Sequence, residues 1–307
     1  MLTAREETEV YKNKRTFRAV TLCLATMLCL NCFSGCAQRR GKIRRPLGSG
    51  GNSTTASTYE TEEETYEAYP EGGTPVETAY FPEPTESDEN GPLLYGDSRI
   101  PHYNGTDPDW RKVEFTWDCQ DKLHYVTVDI PMDANMYRYY KSLDRYNVIS
   151  EYHMYVNDAN NRRVVQGIVD EVRDIAEQLH YDAGGVAREI VCFVQQCIKY
   201  QLDSDTSERD EYPRYPIETL YERQGDCEDT SILMAAMLKE YGFEVGFFDF
   251  PGHAAVALRT SDDYDDGDYF IYKGHRYLYI ESTATGWEIG DVPEEYQTVE
   301  SKLYLVP

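Results

Sequence analysis

The sequence predicts an α+β fold over residues 100–307, and three observations carry that prediction. Helical periodicities come first, between Arg162 and Lys199. A largely apolar helix that opens near a cysteine follows, in "GDCEDTSILMAAML" around Cys227. Strand-like runs then come in close succession, joined by turn residues, which suits antiparallel pairing.

Residues 1–36 read as an export signal. Lys12, Lys14, Arg15 and Arg18 precede an apolar run from Ala19 to Leu30, too short to span a bilayer comfortably. "FSGC", Phe33 to Cys36, resembles a bacterial lipobox, with Phe33 where an aliphatic residue is usual. That resemblance makes Cys36 a lipidation site and a membrane the first partner. The alternatives are an ordinary signal peptide or a short membrane anchor. Each places the remainder outside the cytoplasm. Arg39, Arg40, Lys42, Arg44 and Arg45 would then meet anionic headgroups, or are linker charge.

Residues 37–99 read as a linker. "GSGGNSTTAST" is flexible, and the stretch that follows to Pro92 is acidic and Pro-rich with few aliphatic residues, so it cannot bury enough to fold alone. A flexible coil of roughly 55 residues has an end-to-end distance of about 40 Å, enough for a tether, although a solubilising spacer would look the same.

Residues 100–307 read as one domain. "KVEFTWD" and "LHYVTVDI" alternate apolar and polar residues about a turn, predicting a β-hairpin over 112–118 and 123–130. "ANMYRYYKSL" predicts a short helix. Val164, Val165, Ile168, Val172, Ile175 and Ala176 predict a helix over 162–179, and Val186, Ile190, Val191, Phe193 and Val194 a second over 185–199. "DSDTSERDEYPRYP" breaks regularity. The Cys227 helix stops at Gly242. Strands are predicted at 243–250, 253–260 and 276–283, with a further run at "YFIYKG" and a closing strand in "SKLYLVP".

Composition narrows the function. The chain has 55 acidic and 30 basic residues, a net charge of -25, which argues against nucleic-acid binding. Of eight cysteines, Cys23, Cys29, Cys32 and Cys36 lie in the first forty residues. Cys192 and Cys197 diverge on one helix, and nothing resembles a disulfide framework or a zinc site. "DDYDDGD" has Tyr at the third position of a calcium loop and no Glu at the twelfth, so a solvated loop is expected. No metal and no cofactor is predicted.

Cys227 is the residue to explain. Asp226 suits an N-cap and Asp229 the reciprocal capping position, so Cys227 falls in the first helical turn, where free N–H groups favour a thiolate. Three carboxylates nearby oppose one. Successive helical residues point about 100° apart, so Glu228 and Asp229 are expected to turn from the sulfur. An exposed acid about 8 Å away costs on the order of 0.5 kcal/mol. An imidazolium about 4 Å away contributes about 4 kcal/mol at an effective dielectric of about 20. A histidine beside Cys227 therefore decides whether the thiol is a nucleophile or inert core.

His253 is the best placed of six histidines, opening a strand after the turn residues Pro251 and Gly252. Glu281 ends the following strand and could fix its tautomer. Gln224 is a candidate oxyanion donor, or a turn residue. Tyr212 and Tyr215 of "EYPRYP", with Trp287, could line a substrate groove; a rigid loop is the alternative.

"GDCEDTSILMAAML", "GHAAVAL" and "YLYIESTATGW" resemble, in order and approximate spacing, the transglutaminase-like superfamily, which includes bacterial and archaeal cysteine peptidase-like members. The resemblance covers about residues 160–295. It implies a papain-like α+β core in which the nucleophile helix packs on an antiparallel sheet, preceded by the hairpin and helices. It implies Cys227 as nucleophile, His253 as general base and acid, and Glu281 as orienting carboxylate where Asp is commonest. The expected function is an extracytoplasmic, membrane-tethered cysteine enzyme that cleaves or transfers peptide or isopeptide amides through a thioester. Its substrate would be a protein or peptide, cell-wall peptide being one option. The alternative is a non-catalytic binding or scaffolding module of the cell envelope.

Overall fold

The computed structural model describes residues 42–44, 100–206, 211–263 and 267–307. The expected export signal, Cys36 and most of the expected linker lie outside them, as does part of "DDYDDGD". Lys42–Arg44 form a short strand, β1, within the stretch read as linker.

The hairpin is β2 (Trp110–Asp118) and β3 (Tyr125–Asp133), longer at its open end than its alternation suggested. Phe115 faces Val128, and β1 adds to the free edge of β3, with Lys42 opposite Thr127. The inward side of the pleat carries Phe115, Trp117, Val126, Val128, Ile130 and Met132, all buried. Asp133 closes β3 and caps α1 (Ala134–Lys141), accepting from the Asn135 N–H at 2.9 Å.

Two short turns of helix follow, Ile149–Glu151 and α2 (His153–Val156). Helix α3 (Ala159–Leu179) begins before the predicted Arg162 because Asp158 caps it, accepting from the Asn161 N–H at 2.9 Å. Asp182 likewise caps α4 (Ala183–Cys197). Trp117 donates its indole N–H to the buried Glu189 of α4 at 2.7 Å, which fixes the hairpin on that helix.

Four short elements follow: β4 (Lys199–Tyr200), α5 (Asp203–Thr206) inside the stretch read as irregular, α6 (Pro216–Glu222) at its end and β5 (Gln224–Gly225), with β4 and β5 parallel. Pro216 sits in the first turn of α6, where its missing N–H costs nothing. Helix α7 (Cys227–Tyr241) comes next and ends at Gly242.

The chain finishes in strands β6 (Val245–Phe250), β7 (His253–Arg259), β8 (Tyr269–Tyr272), β9 (His275–Ile280) and β10 (Lys302–Leu305). They form one antiparallel sheet in the order β10-β6-β7-β9-β8. Helix α7 lies against β7 and is enclosed by α3, α4 and α6. Its buried residues run right round it, as an internal helix requires. Ile232, Leu233, Met234, Met237 and Leu238 are fully buried, each contributing about 1.5–3 kcal/mol.

Both faces of the sheet centre are covered. Ala254 to Leu258 are all buried, so β7 reads as a continuous run rather than an alternation. Phe248, Phe250, Phe270 and Tyr279 pack with Val292 on the face away from α7. Among the described residues no helix is long and apolar enough to cross a membrane.

Candidate active site

The site forms where the first turn of α7 meets the β6–β7 turn and the end of β9. Pro251 and Gly252 make that turn, and Gly252 takes φ 73°, a conformation that favours glycine. Phe250 thereby pairs with His253, and the imidazole lands at the sheet edge. Gly225 is needed for closeness instead: a Cβ there would stand 2.4 Å from Asp229 Cβ.

His253 and Glu281 are brought together. His253 Nε2 lies 3.1 Å from Glu281 Oε2 and 3.1 Å from the Tyr279 hydroxyl oxygen. Tyr279 donates to the same Oε2 at 2.6 Å. Glu281 Oε1 accepts from the N–H groups of Ser282 and Thr283, each at 3.0 Å, and from the Thr283 hydroxyl at 2.7 Å. Burial alone would raise the Glu281 carboxyl, but His253, Tyr279 and Thr283 outweigh it and hold the group down at about 2. Nε2 is committed to the carboxylate, which leaves Nδ1 for chemistry. The Tyr296 ring stacks on the imidazole at 4.9 Å between centroids and 5° between planes.

A ladder of hydroxyls joins this pair to α7. Ser282 Oγ lies 2.8 Å from Thr230 Oγ1 and 3.1 Å from Ser231 Oγ. Ser231 donates to the Ala254 carbonyl at 3.0 Å, and Thr230 to the Asp226 carbonyl at 2.8 Å. The residues beside His253, Glu281 and Cys227 are thus fastened to one another. Sequence reasoning passed over them. Thr230 and Ser231 in an otherwise apolar helix, with Ser282 next to Glu281, were the available signal.

Cys227 opens α7, with the Asp226 N–H donating to Asp229 Oδ2 at 3.3 Å. The expectation that the acids turn from the sulfur needs correction for Glu228. Its side chain is buried and cannot reach solvent, so it folds back, and its Oε2 accepts from the Cys227 thiol at 3.3 Å. Burial first, then Glu228, push the thiol well above its ordinary range. The Ala254 N–H, one residue past His253, works in the opposite direction. Asp229 does turn away. It accepts from the Arg214 N–H at 2.6 Å and pairs with the Arg214 guanidinium, which also bonds Asp203 at 2.7 Å.

The groove assignment also needs correction. Tyr215 is 1% exposed and lies among Tyr140 and Tyr155, with centroids 4.8 and 4.6 Å away. Tyr212 is buried, its hydroxyl held by Arg145 and by Glu218 at 2.8 Å. The "EYPRYP" segment wraps three buried ion pairs, Arg145–Glu218, Arg214–Asp203 and Arg214–Asp229, and so turns its rings inward. Trp287 is half-buried, and its carbonyl accepts from Gln195 at 3.2 Å. That same Gln195 holds the Glu281 carbonyl at 2.8 Å, another tie the sequence did not suggest. Gln224 is half-buried in β5, opposite Lys199 of β4.

The aromatic group open to solvent here is Tyr200, 44% exposed. Tyr200 pairs with Gly225, two residues before Cys227, which puts it beside the start of α7; burial, followed by Cys227, Asp226, Glu228 and Glu281, pushes its hydroxyl up to about 12.

Residues 172–248 match the family model described as the Transglutaminase-like superfamily. The match runs from α3 through α7 into β6 and so includes Cys227, stopping short of His253. No curated protein matches the sequence. Among solved structures, calcium-bound LapG from Legionella pneumophila is 16% identical, with a TM-score of 0.25, over 45% of this chain and 87% of that one. A candidate protease from Parabacteroides distasonis is 15% identical, with a TM-score of 0.26, over 60% of this chain and 41% of that one.

Proposed function

We propose that the chain is a thiol enzyme that cleaves or transfers peptide amides, held outside the cytoplasm by a lipid on Cys36. The observation that carries the chemistry is the His253–Glu281 pair, fastened by hydroxyls to the helix that Cys227 opens.

Cys227 Sγ attacks the substrate carbonyl carbon while His253 Nδ1 takes the thiol proton. The resulting imidazolium is stabilised by Glu281 through Nε2. The oxyanion is met by the Cys227 N–H at the free end of α7, with Gln224 as the second donor. His253 returns the proton to the departing amine, which leaves a thioester. Water, deprotonated by His253, then releases the acid and restores the thiol. A lysine amine in place of water gives transamidation. Tyr200 beside the start of α7 supplies a face for an extended peptide.

A specific observation supports the non-catalytic reading: the thiol donates to Glu228 and is held in its neutral form. The two readings differ in one experiment. The full chain is incubated with peptide amides and hydroxylamine, and the protein is analysed by mass for a thioester or its trapped hydroxamate product. Turnover in wild type that disappears in Cys227→Ala is the expected result. Equal turnover in both removes Cys227 as nucleophile.

A further inference from the structure

Tyr296 takes no part in the chemistry above, yet its ring covers one face of the candidate base. The Tyr296 and His253 rings stand 4.9 Å apart at their centroids and only 5° from parallel. The tyrosine comes from the loop that joins β9 to β10, whereas His253 opens β7 and Glu281 follows β9. The imidazole is thus met by separate parts of the chain, and its side chain is 9% exposed.

The ring is held where it stands. The Tyr296 N–H donates to the Pro293 carbonyl at 2.9 Å, and the Tyr296 carbonyl accepts from the Val299 N–H at 3.2 Å. Phe250, the cross-strand partner of His253, lies 4.9 Å from the tyrosine ring at 37°. Tyr296 and Val299 also pack against the buried cluster of Phe248, Phe250, Phe270 and Tyr279. A tyrosine braced by that cluster and laid flat on an imidazole is a fixed wall of the site.

We propose that Tyr296 is a positioning residue for His253, fixing the plane of the imidazole and favouring the imidazolium that forms when it takes up the thiol proton. Glu281 and Tyr279 both meet the imidazole at Nε2, and contacts at one nitrogen restrain the tilt of the ring only weakly. A flat partner on the ring face removes that freedom and so aims Nδ1. The face of an aromatic ring is also its negative side, and it attracts a cation within about 6 Å. That attraction is far weaker for a neutral imidazole, so it grows as the proton arrives. The catalytic consequence rests on the amidase reading; the stack does not.

The titratable groups around the imidazole come from every element beside it. Tyr279 and Glu281 belong to the end of β9, Asp226, Cys227 and Glu228 to the start of α7, and Glu295 to the loop of Tyr296 itself. Asp249 of β6 pairs with Ala254 and so belongs to the other face of the sheet. Burial, followed by Glu295, Glu281 and Cys227, raises the Tyr296 hydroxyl, so the phenol stays neutral beside the imidazole. Tyr296→Phe leaves all the other groups in place and keeps the aromatic face. Tyr296→Leu leaves them in place and removes that face.

The test uses the full chain with isotopically labelled histidines, and His253→Gln to identify the His253 resonances by magnetic resonance. In wild type the Tyr296 ring current should shift the imidazole protons upfield; Tyr296→Leu should abolish that shift and Tyr296→Phe keep it. The rate of iodoacetamide labelling at Cys227 is then followed against pH, with Cys227→Ala as the blank. Tyr296→Leu should move that profile up by about one pH unit, because a less favoured imidazolium makes a less favoured thiolate, and Tyr296→Phe should restore it. In a steady-state amidase assay kcat should fall about tenfold in Tyr296→Leu at unchanged KM and recover in Tyr296→Phe. Imidazole resonances that ignore Tyr296→Leu, or a labelling profile that it does not move, overturn the proposal, as does a Tyr296→Phe chain no better than Tyr296→Leu. A Tyr296→Leu chain that fails to fold is replaced by Tyr296→Met, judged by the same contrast with Tyr296→Phe. A wild type without turnover ends the amidase reading alone, because the resonances and the labelling profile still decide the role of Tyr296.

Discussion

Glu281 and Glu228 are both buried glutamates beside the same candidate centre, and they live in opposite circumstances. Glu281 receives donors at both oxygens, from His253, Tyr279, Ser282 and Thr283. Glu228 receives a weak thiol donor at one oxygen and none among the described residues at the other. One carboxyl is held down at about 2. The other is driven up to about 10 by burial and by Asp226. Burial is similar in the two, so the neighbours make the difference: His253, Tyr279 and Thr283 favour the anion at Glu281, while Asp226 and Asp229 oppose it at Glu228. The comparison teaches that an acidic sequence neighbourhood says little about electrostatics until donors are assigned. Glu281 is a finished anion site, whereas Glu228 is driven toward its neutral form.

The largest effect should come from breaking the finished side. His253→Ala is expected to lower kcat by about 10⁴-fold, measured by steady-state amidase assay. Glu281→Gln should follow at about 10³-fold, because the amide can donate to Nε2 and so favour the wrong tautomer. A Glu281→Gln enzyme with wild-type kcat would show that the carboxylate only shapes the fold.

Removing the cation between the two acidic groups comes next. Arg214→Met leaves Asp203 and Asp229 without their guanidinium, and chemical denaturation should record a loss of about 3–5 kcal/mol. An unchanged midpoint would mean that the cluster finds its counter-charge elsewhere.

The depressed Glu281 carboxyl sharpens the contrast through pH. Its folded value lies below its ordinary 4.5, so its stabilisation is complete above about pH 4.5. It is lost as pH falls from there toward 2, on the order of 3 kcal/mol in all. The acid limb of stability against pH should be shallower in Glu281→Gln. Superimposable limbs would show that Glu281 titrates as it does in the unfolded chain.

Much of the scaffold was legible because period and capping are local. Apolar spacing marked α3 and α4, Gly242 follows α7, and Pro251 with Gly252 marks the turn that places His253, whereas the caps Asp158 and Asp182 went unread and both helices start earlier than expected. Cys227, His253 and Glu281 could be chosen on the same local signals together with a family resemblance. What could not be read was direction. Tyr212 and Tyr215 turn inward because Arg145, Glu218 and Arg214 meet there from distant parts of the chain. Glu228 folds onto the sulfur because packing closes its route to water. Helix α5 lay in a stretch whose charges and prolines suggested a loop, although Asp203 and Arg214 of that stretch form a buried ion pair.

The smallest effect tests the seam between the two glutamates. Ser282 follows Glu281 and touches Thr230 and Ser231 on the helix that carries Glu228. Ser282→Ala deletes one hydroxyl, but Thr230 keeps the Asp226 carbonyl and Ser231 keeps the Ala254 carbonyl. No buried donor is orphaned, so the loss should stay near about 1 kcal/mol in chemical denaturation. Thr230→Val should cost a similar amount. If the hydroxyls act as one ladder, the double variant loses less than the sum, with a coupling of about 0.5–1 kcal/mol. Strict additivity would mean that the strand end and the helix start are held together by apolar packing alone.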